Sequence, residues 1–106
     1  MTRALITLPK SARKGDTFEI RAVVGHPMET GFRPGADGKT LPRNIIERFE
    51  CHYNNELIFK ADLFAAVSAN PYIAFHTVAT TSGSLRFTWT GDQNFVHTET
   101  VSLEVT

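Results

Sequence analysis

The feature that most limits what this chain can fold into is the period of its apolar residues, which is two along most of its length. Phe18, Ile20, Ala22 and Val24 alternate with Glu19 and Arg21, and Leu85, Phe87 and Trp89 alternate with Ser84, Arg86 and Thr88. Successive side chains of a strand point to opposite faces, so each set describes a strand with one face buried. Helical periodicity is nearly absent, and Thr, Val and Phe recur between closely spaced turn residues, which predicts an all-β domain. Further strands are expected at about 4–8, 45–53, 57–63, 72–80 and 95–105, making about seven, the number of an immunoglobulin-like antiparallel β-sandwich.

The connections carry their own signals. Asn54 and Asn55 tolerate the left-handed conformation of a tight hairpin, and Ser82 and Gly83 are expected to form another between the fifth and sixth strands. In the last strand His97 and Glu99 share parity with Val101, Leu103 and Val105, which predicts a register-resetting bulge near Thr98. Residues 64–71 lack alternation and are expected to cross between sheets through a short helical turn, with Pro71 holding Asn70 extended. From Gly25 to Asn44 runs a Pro- and Gly-rich stretch, long for a structureless loop. Asp37 and Gly38 offer a turn within it that would set Phe32 opposite Leu41 across a small ribbon.

At 106 residues the chain has the size of one domain, read here as spanning residues 1–106, and its eight Phe can help fill a core without disulfide or metal. Eleven basic and eleven acidic side chains give a formal net charge of zero. That balance lacks the cationic footprint of a nucleic-acid or anionic-lipid partner. No apolar run approaches the about 18 residues of a membrane-spanning helix. Met1–Pro9 is too short and lacks a cleavage site for a signal peptide. A lone cysteine excludes an internal disulfide and paired-thiol motifs, and leaves the redox compartment open.

No phosphate-binding loop, nucleophile–base spacing or paired carboxylates are present, so neither an enzyme nor a cofactor is expected. His26, His52, His76 and His97 fall one per segment. With Cys51 they equal the donor count of the superoxide-reductase iron site, which also sits on an immunoglobulin-like sandwich. That family, however, joins its cysteine and a histidine by a C-x-x-H spacing, whereas Cys51 and His52 are adjacent and would face opposite ways. Cys51 shares parity with Phe49 and Tyr53 and reads as a small core hydrophobe, with an interface position as the alternative. Trp89 reads as core filler, and Lys10, Arg13 and Lys14 as a solvated turn. The segment HPMETGFR has two readings: a recognition loop that exposes Met28 and Phe32, or a loop packed on its own domain. The candidates for partner contact are His26, Met28, Glu29, Phe32, Arg33 and Cys51.

Read in order, PKSARKGDTFEIR, HPMETG, DGKTLPRNIIERFEC, FKADLFAAVSANPY and SGSLRFTWTGD resemble the SoxZ family of the bacterial sulfur-oxidation (Sox) system, and the likeness covers nearly the whole chain. The resemblance implies an immunoglobulin-like, non-catalytic subunit that pairs with SoxY, whose C-terminal Gly-Gly-Cys-Gly-Gly arm holds the sulfur substrate for the other Sox enzymes. This chain ends in Val101–Thr106 with no such arm, so the carrier cysteine is expected in the partner. The family also implies the periplasm, reached together with a signal-bearing SoxY. Two alternatives remain: a freestanding immunoglobulin-like binding module, which would be monomeric and unpartnered when purified, and a superoxide-reductase-like iron protein, which metal analysis would reveal.

Overall fold

The computed structural model describes residues 3–106. Met1 and Thr2, which open the expected domain span, lie outside the described residues. Among the described residues eight strands follow one another: β1 (Ala4–Thr7), β2 (Ser11–Ala12), β3 (Thr17–Val24), β4 (Ile46–Tyr53), β5 (Glu56–Asp62), β6 (Tyr72–Val78), β7 (Gly83–Gly91) and β8 (Val96–Val105). They form an immunoglobulin-like sandwich of two sheets, ordered β1-β3-β6 and β2-β8-β7-β4-β5. All pairings are antiparallel except β2 with β8. The strand beyond the expected seven is β2, whose two residues are too few to show an alternation.

The inward faces are those the alternation marks. Phe18, Ile20, Ala22 and Val24 meet Phe49, Cys51, Tyr53, Leu85, Phe87 and Trp89 in one core. Phe49 lies at its centre, with its ring centroid 5.2 Å from Trp89 and 6.2 Å from both Phe75 and Phe87. Burying each such side chain contributes roughly 1.5–3 kcal/mol, which is what sets the register of both sheets.

Asn54 and Asn55 take positive φ, +47° and +71°, and close the β4–β5 hairpin as expected. The proposed hairpin at Ser82–Gly83 does not form, because β6 and β7 belong to different sheets and the link between them crosses the sandwich. Side chains of β4 and its hairpin hold that crossing. The Tyr53 hydroxyl donates to the Thr81 carbonyl (2.6 Å) and accepts from the Thr80 N–H (3.1 Å), while Asn54 Oδ1 accepts from the Ser84 N–H (3.0 Å).

Nor is there a bulge at Thr98: β7 and β8 pair without a break from Gly83–Leu103 to Thr90–Val96. The inner face accommodates the polar pair because His97 Nε2 lies 2.9 Å from Glu99 Oε1 and the His97 ring lies 5.9 Å from Trp89. The register shifts fall in β4 instead, at Ile46/Arg48 against β7 and at Cys51/His52 against β5.

Residues 64–71 do cross between the sheets, but through a tight turn in which the Val67 N–H donates to the Phe64 carbonyl (3.0 Å), with no helix. Asn70 is left-handed (φ +55°) rather than extended. Two bonds to one residue hold it there: its N–H donates to the His26 carbonyl (2.8 Å), and its Oδ1 accepts from the His26 N–H (3.0 Å). The preference of a pre-proline residue yields to this clasp.

Candidate functional site

The stretch between β3 and β4 projects from one end of the sandwich as a ribbon. Glu29 and Asn44 exchange both backbone hydrogen bonds (2.8 Å each), and farther out the Leu41 N–H donates to the Arg33 carbonyl (2.8 Å). The turn is where Asp37–Gly38 placed it, with Gly38 at φ +81° and the Lys39 N–H bonded to Asp37 Oδ1 (3.0 Å). Arg33, not Phe32, therefore stands opposite Leu41. Phe32 is left 83% exposed, the most exposed large apolar side chain among the described residues.

The root of the ribbon is built into the core. His26 and Met28 continue the even-numbered parity of β3 beyond its end, and both are only 4% exposed. His26 Nδ1 accepts the Met28 N–H (3.0 Å), the Met28 sulfur accepts the Ile46 N–H (3.2 Å), and the Phe95 ring meets the His26 ring edge-on at 4.9 Å. Burial pushes the imidazole below its usual pKa, against the Asn44 side chain and the Asp92 carboxylate, which favour its charged form. Met28 pays for this placement with a left-handed backbone, φ +50°.

The returning arm is fixed by Asp92 in the β7–β8 turn. Arg43 donates to it through Nε and Nη2 (2.8 Å each), and the Ile45 N–H adds a third bond (3.1 Å). The Arg43 guanidinium, then the Glu47 carboxyl, hold Asp92 down at about 2, and the hydrogen bond to Asp92 raises Glu47 in turn. Next to this cluster Gly91 runs so close to Ile45 that a Cβ would overlap the Ile45 carbonyl, so only glycine fits. On the outgoing arm Arg33 Nη2 donates to Glu29 Oε1 (2.6 Å), and this hydrogen bond lowers the Glu29 pKa.

Of the candidate residues, the ribbon exposes Phe32 and Arg33, keeps Glu29 half-buried beneath Arg33, and buries His26 and Met28 at its root. Cys51 is elsewhere, fully buried on β4 between Phe59 and Phe87 of the neighbouring strands. Burial pushes its thiol up to about 12, so it carries almost no thiolate near neutral pH. Core packing closes off the side chains of His26, Met28 and Cys51, which places Cys51 in the interior that its parity with Phe49 and Tyr53 indicates. The roles of Asn44, Asn70 and Asp92 depend on residues far away in sequence and leave no local signal. The parity of His26 and Met28 with β3 was visible, but Gly25 and Pro27 suggested that the strand had already ended.

The family model for the sulphur oxidation protein SoxZ matches residues 6–102. The chain belongs to the SoxZ family. It is thus a protein of the sulfur-oxidation system. No curated protein matches it. Among solved structures, a superoxide reductase (neelaredoxin) from Ignicoccus hospitalis is similar at 18% identity and TM-score 0.74, over 99% of this chain and 82% of that one. The sulfur carrier protein SoxY from Chlorobium limicola f thiosulfatophilum is similar at 10% identity and TM-score 0.67, over 97% of this chain and 78% of that one. At such identities the shared property is the sandwich.

The donor set of this SoxZ chain does not fit an iron centre of the superoxide-reductase kind. Cys51 and His52 point to opposite faces of β4, His26 closes the ribbon root, His76 lies on the outer face of β6, and His97 pairs with Glu99. Among the described residues no three His, Cys, Asp or Glu side chains gather as a metal-holding group.

Proposed function

We propose that this chain is the non-catalytic subunit of a SoxYZ sulfur carrier complex in thiosulfate oxidation. In this reading it forms a heterodimer with a SoxY-like protein whose C-terminal cysteine arm bears the sulfur intermediate. The family match over residues 6–102 carries the proposal. The chemistry agrees with it: the single thiol is buried and held protonated, and among the described residues none hydrogen-bonds to it as a base. The working part of the molecule is then its surface. The exposed Phe32, braced by the Glu29–Arg33 pair on a ribbon rooted in the core, is suited to steering the partner's arm toward the other Sox enzymes, with the complex located in the periplasm.

Reconstituted thiosulfate oxidation tests this reading. With the remaining Sox enzymes present, turnover should require both SoxY and this chain, and this chain alone should show none. Thiosulfate or persulfide turnover by the isolated chain, lost on Cys51→Ser, would contradict the carrier assignment.

A further inference from the structure

Four strands form the open edges of the two sheets, and three of them carry features that discourage a further strand. β1 has four residues and β2 two. β5 carries Glu56, Lys60 and Asp62 and pairs with β4 through a register shift. Short length, charge and irregular pairing are the means by which sheets protect their edges. β6 has none of them. Its seven residues, YIAFHTV, include no proline, lysine or carboxylate and pair with β3 in an unbroken register.

The hydrogen-bond phase of that pairing fixes which groups stand free. The Val24 N–H donates to the Pro71 carbonyl (3.3 Å) at one end and the Ala79 N–H to the Asp16 carbonyl (2.9 Å) at the other. Antiparallel pairs alternate between bonded and non-bonded, so Ile73, Phe75 and Thr77 face β3, while Tyr72, Ala74, His76 and Val78 aim both N–H and C=O away from it. The side chains of these four residues are also exposed, on the outer face. There Tyr72 continues an apolar row, Leu5–Val23–Tyr72, that crosses the sheet and ends at the open edge, with Leu5 and Tyr72 more than 60% exposed.

We infer that β6 is the strand-addition site of this chain, and that its occupant is an extended edge strand of the SoxY-like subunit, with an apolar side chain seated beside Tyr72. This rests on the heterodimer proposed above. Only an extended strand supplies alternating acceptors and donors to four residues two apart. A partner whose fold is similar to this sandwich, as that of SoxY is, is itself built of extended strands.

Residue-resolved amide hydrogen exchange, with and without a cognate SoxY subunit, tests the inference. The Tyr72, Ala74, His76 and Val78 amides should exchange quickly in the isolated chain and slow by at least about tenfold in the complex, whereas Ile73, Phe75 and Thr77, already bonded to β3, should change little. Ala74→Pro removes an outward N–H without touching the β3 ladder, so the variant should keep its circular dichroism spectrum and lose SoxY binding. Ala74→Lys should weaken binding in the same way. A complex that forms without the alternating protection, or folded Ala74 variants that bind as well as the parent, would overturn the edge assignment while leaving the heterodimer intact. Absence of any complex would overturn both. The same protection appearing on concentration of this chain alone would overturn SoxY as the occupant in favour of a second copy.

Discussion

Met28→Ala and Phe32→Ala separate the two parts of the ribbon, because four residues apart in sequence they lie at opposite extremes of burial. Truncating a buried methionine costs about 2–5 kcal/mol, through lost transfer energy and an incompletely filled cavity. Met28 sits near the upper part of that range, since its sulfur also accepts the N–H of the fully buried Ile46. At about 4–5 °C per kcal/mol for a domain of 106 residues, the melting temperature should fall by roughly 16–25 °C. Phe32→Ala removes an exposed ring and should change stability by no more than about 0.5 kcal/mol. Met28→Gly adds a control on the backbone: at φ +50° glycine recovers about 1 kcal/mol of left-handed strain, so it should be at least as stable as Met28→Ala. Thermal melts followed by circular dichroism give all three values. A Met28→Ala variant melting within about 4 °C of the parent would refute the claim that the core holds the ribbon root.

Three further outcomes follow from the geometry. Cys51 should resist a thiol reagent in the native protein at neutral pH and react once the chain is denatured; rapid native labelling would contradict its burial and its raised pKa. Tyr53→Phe leaves the Thr80 N–H and Thr81 carbonyl without their shared partner and should cost about 1–3 kcal/mol in a denaturant titration. Asp92 holds its proton less tightly folded than unfolded, so the stability it adds is full above its ordinary pKa of 3.8 and is lost as pH falls through about 2. Asp92→Asn should therefore flatten that part of the acid-unfolding profile.

How much of this was legible in the sequence depended on the range of the interaction. Period-two burial is local, so the β3 and β7 faces, the Asn54–Asn55 turn and the interior positions of Cys51 and Trp89 could be read directly. The Ser82–Gly83 link could not, since its residues suit a hairpin and only the distant Tyr53 and Asn54 show that it crosses between sheets. Asn70 repeats the point: its neighbour Pro71 favours an extended backbone, and the clasp on His26, 44 residues away, overrides it. In β8 the polar residues His97 and Glu99 suggested a break in register, yet they satisfy each other on the inner face. The ribbon's turn was readable, but its pairing was displaced by one residue. With Arg33 rather than Phe32 opposite Leu41, the Phe32 ring stands in solvent.

The most direct test of the central claim is the mass of the species formed when this chain is mixed with a cognate SoxY, measured by size-exclusion chromatography with light scattering. The account predicts one heterodimer peak at the summed mass, stable on dilution to about micromolar, as expected for an interface burying more than about 1,000 Å². Two separate peaks at the masses of the individual chains would contradict it.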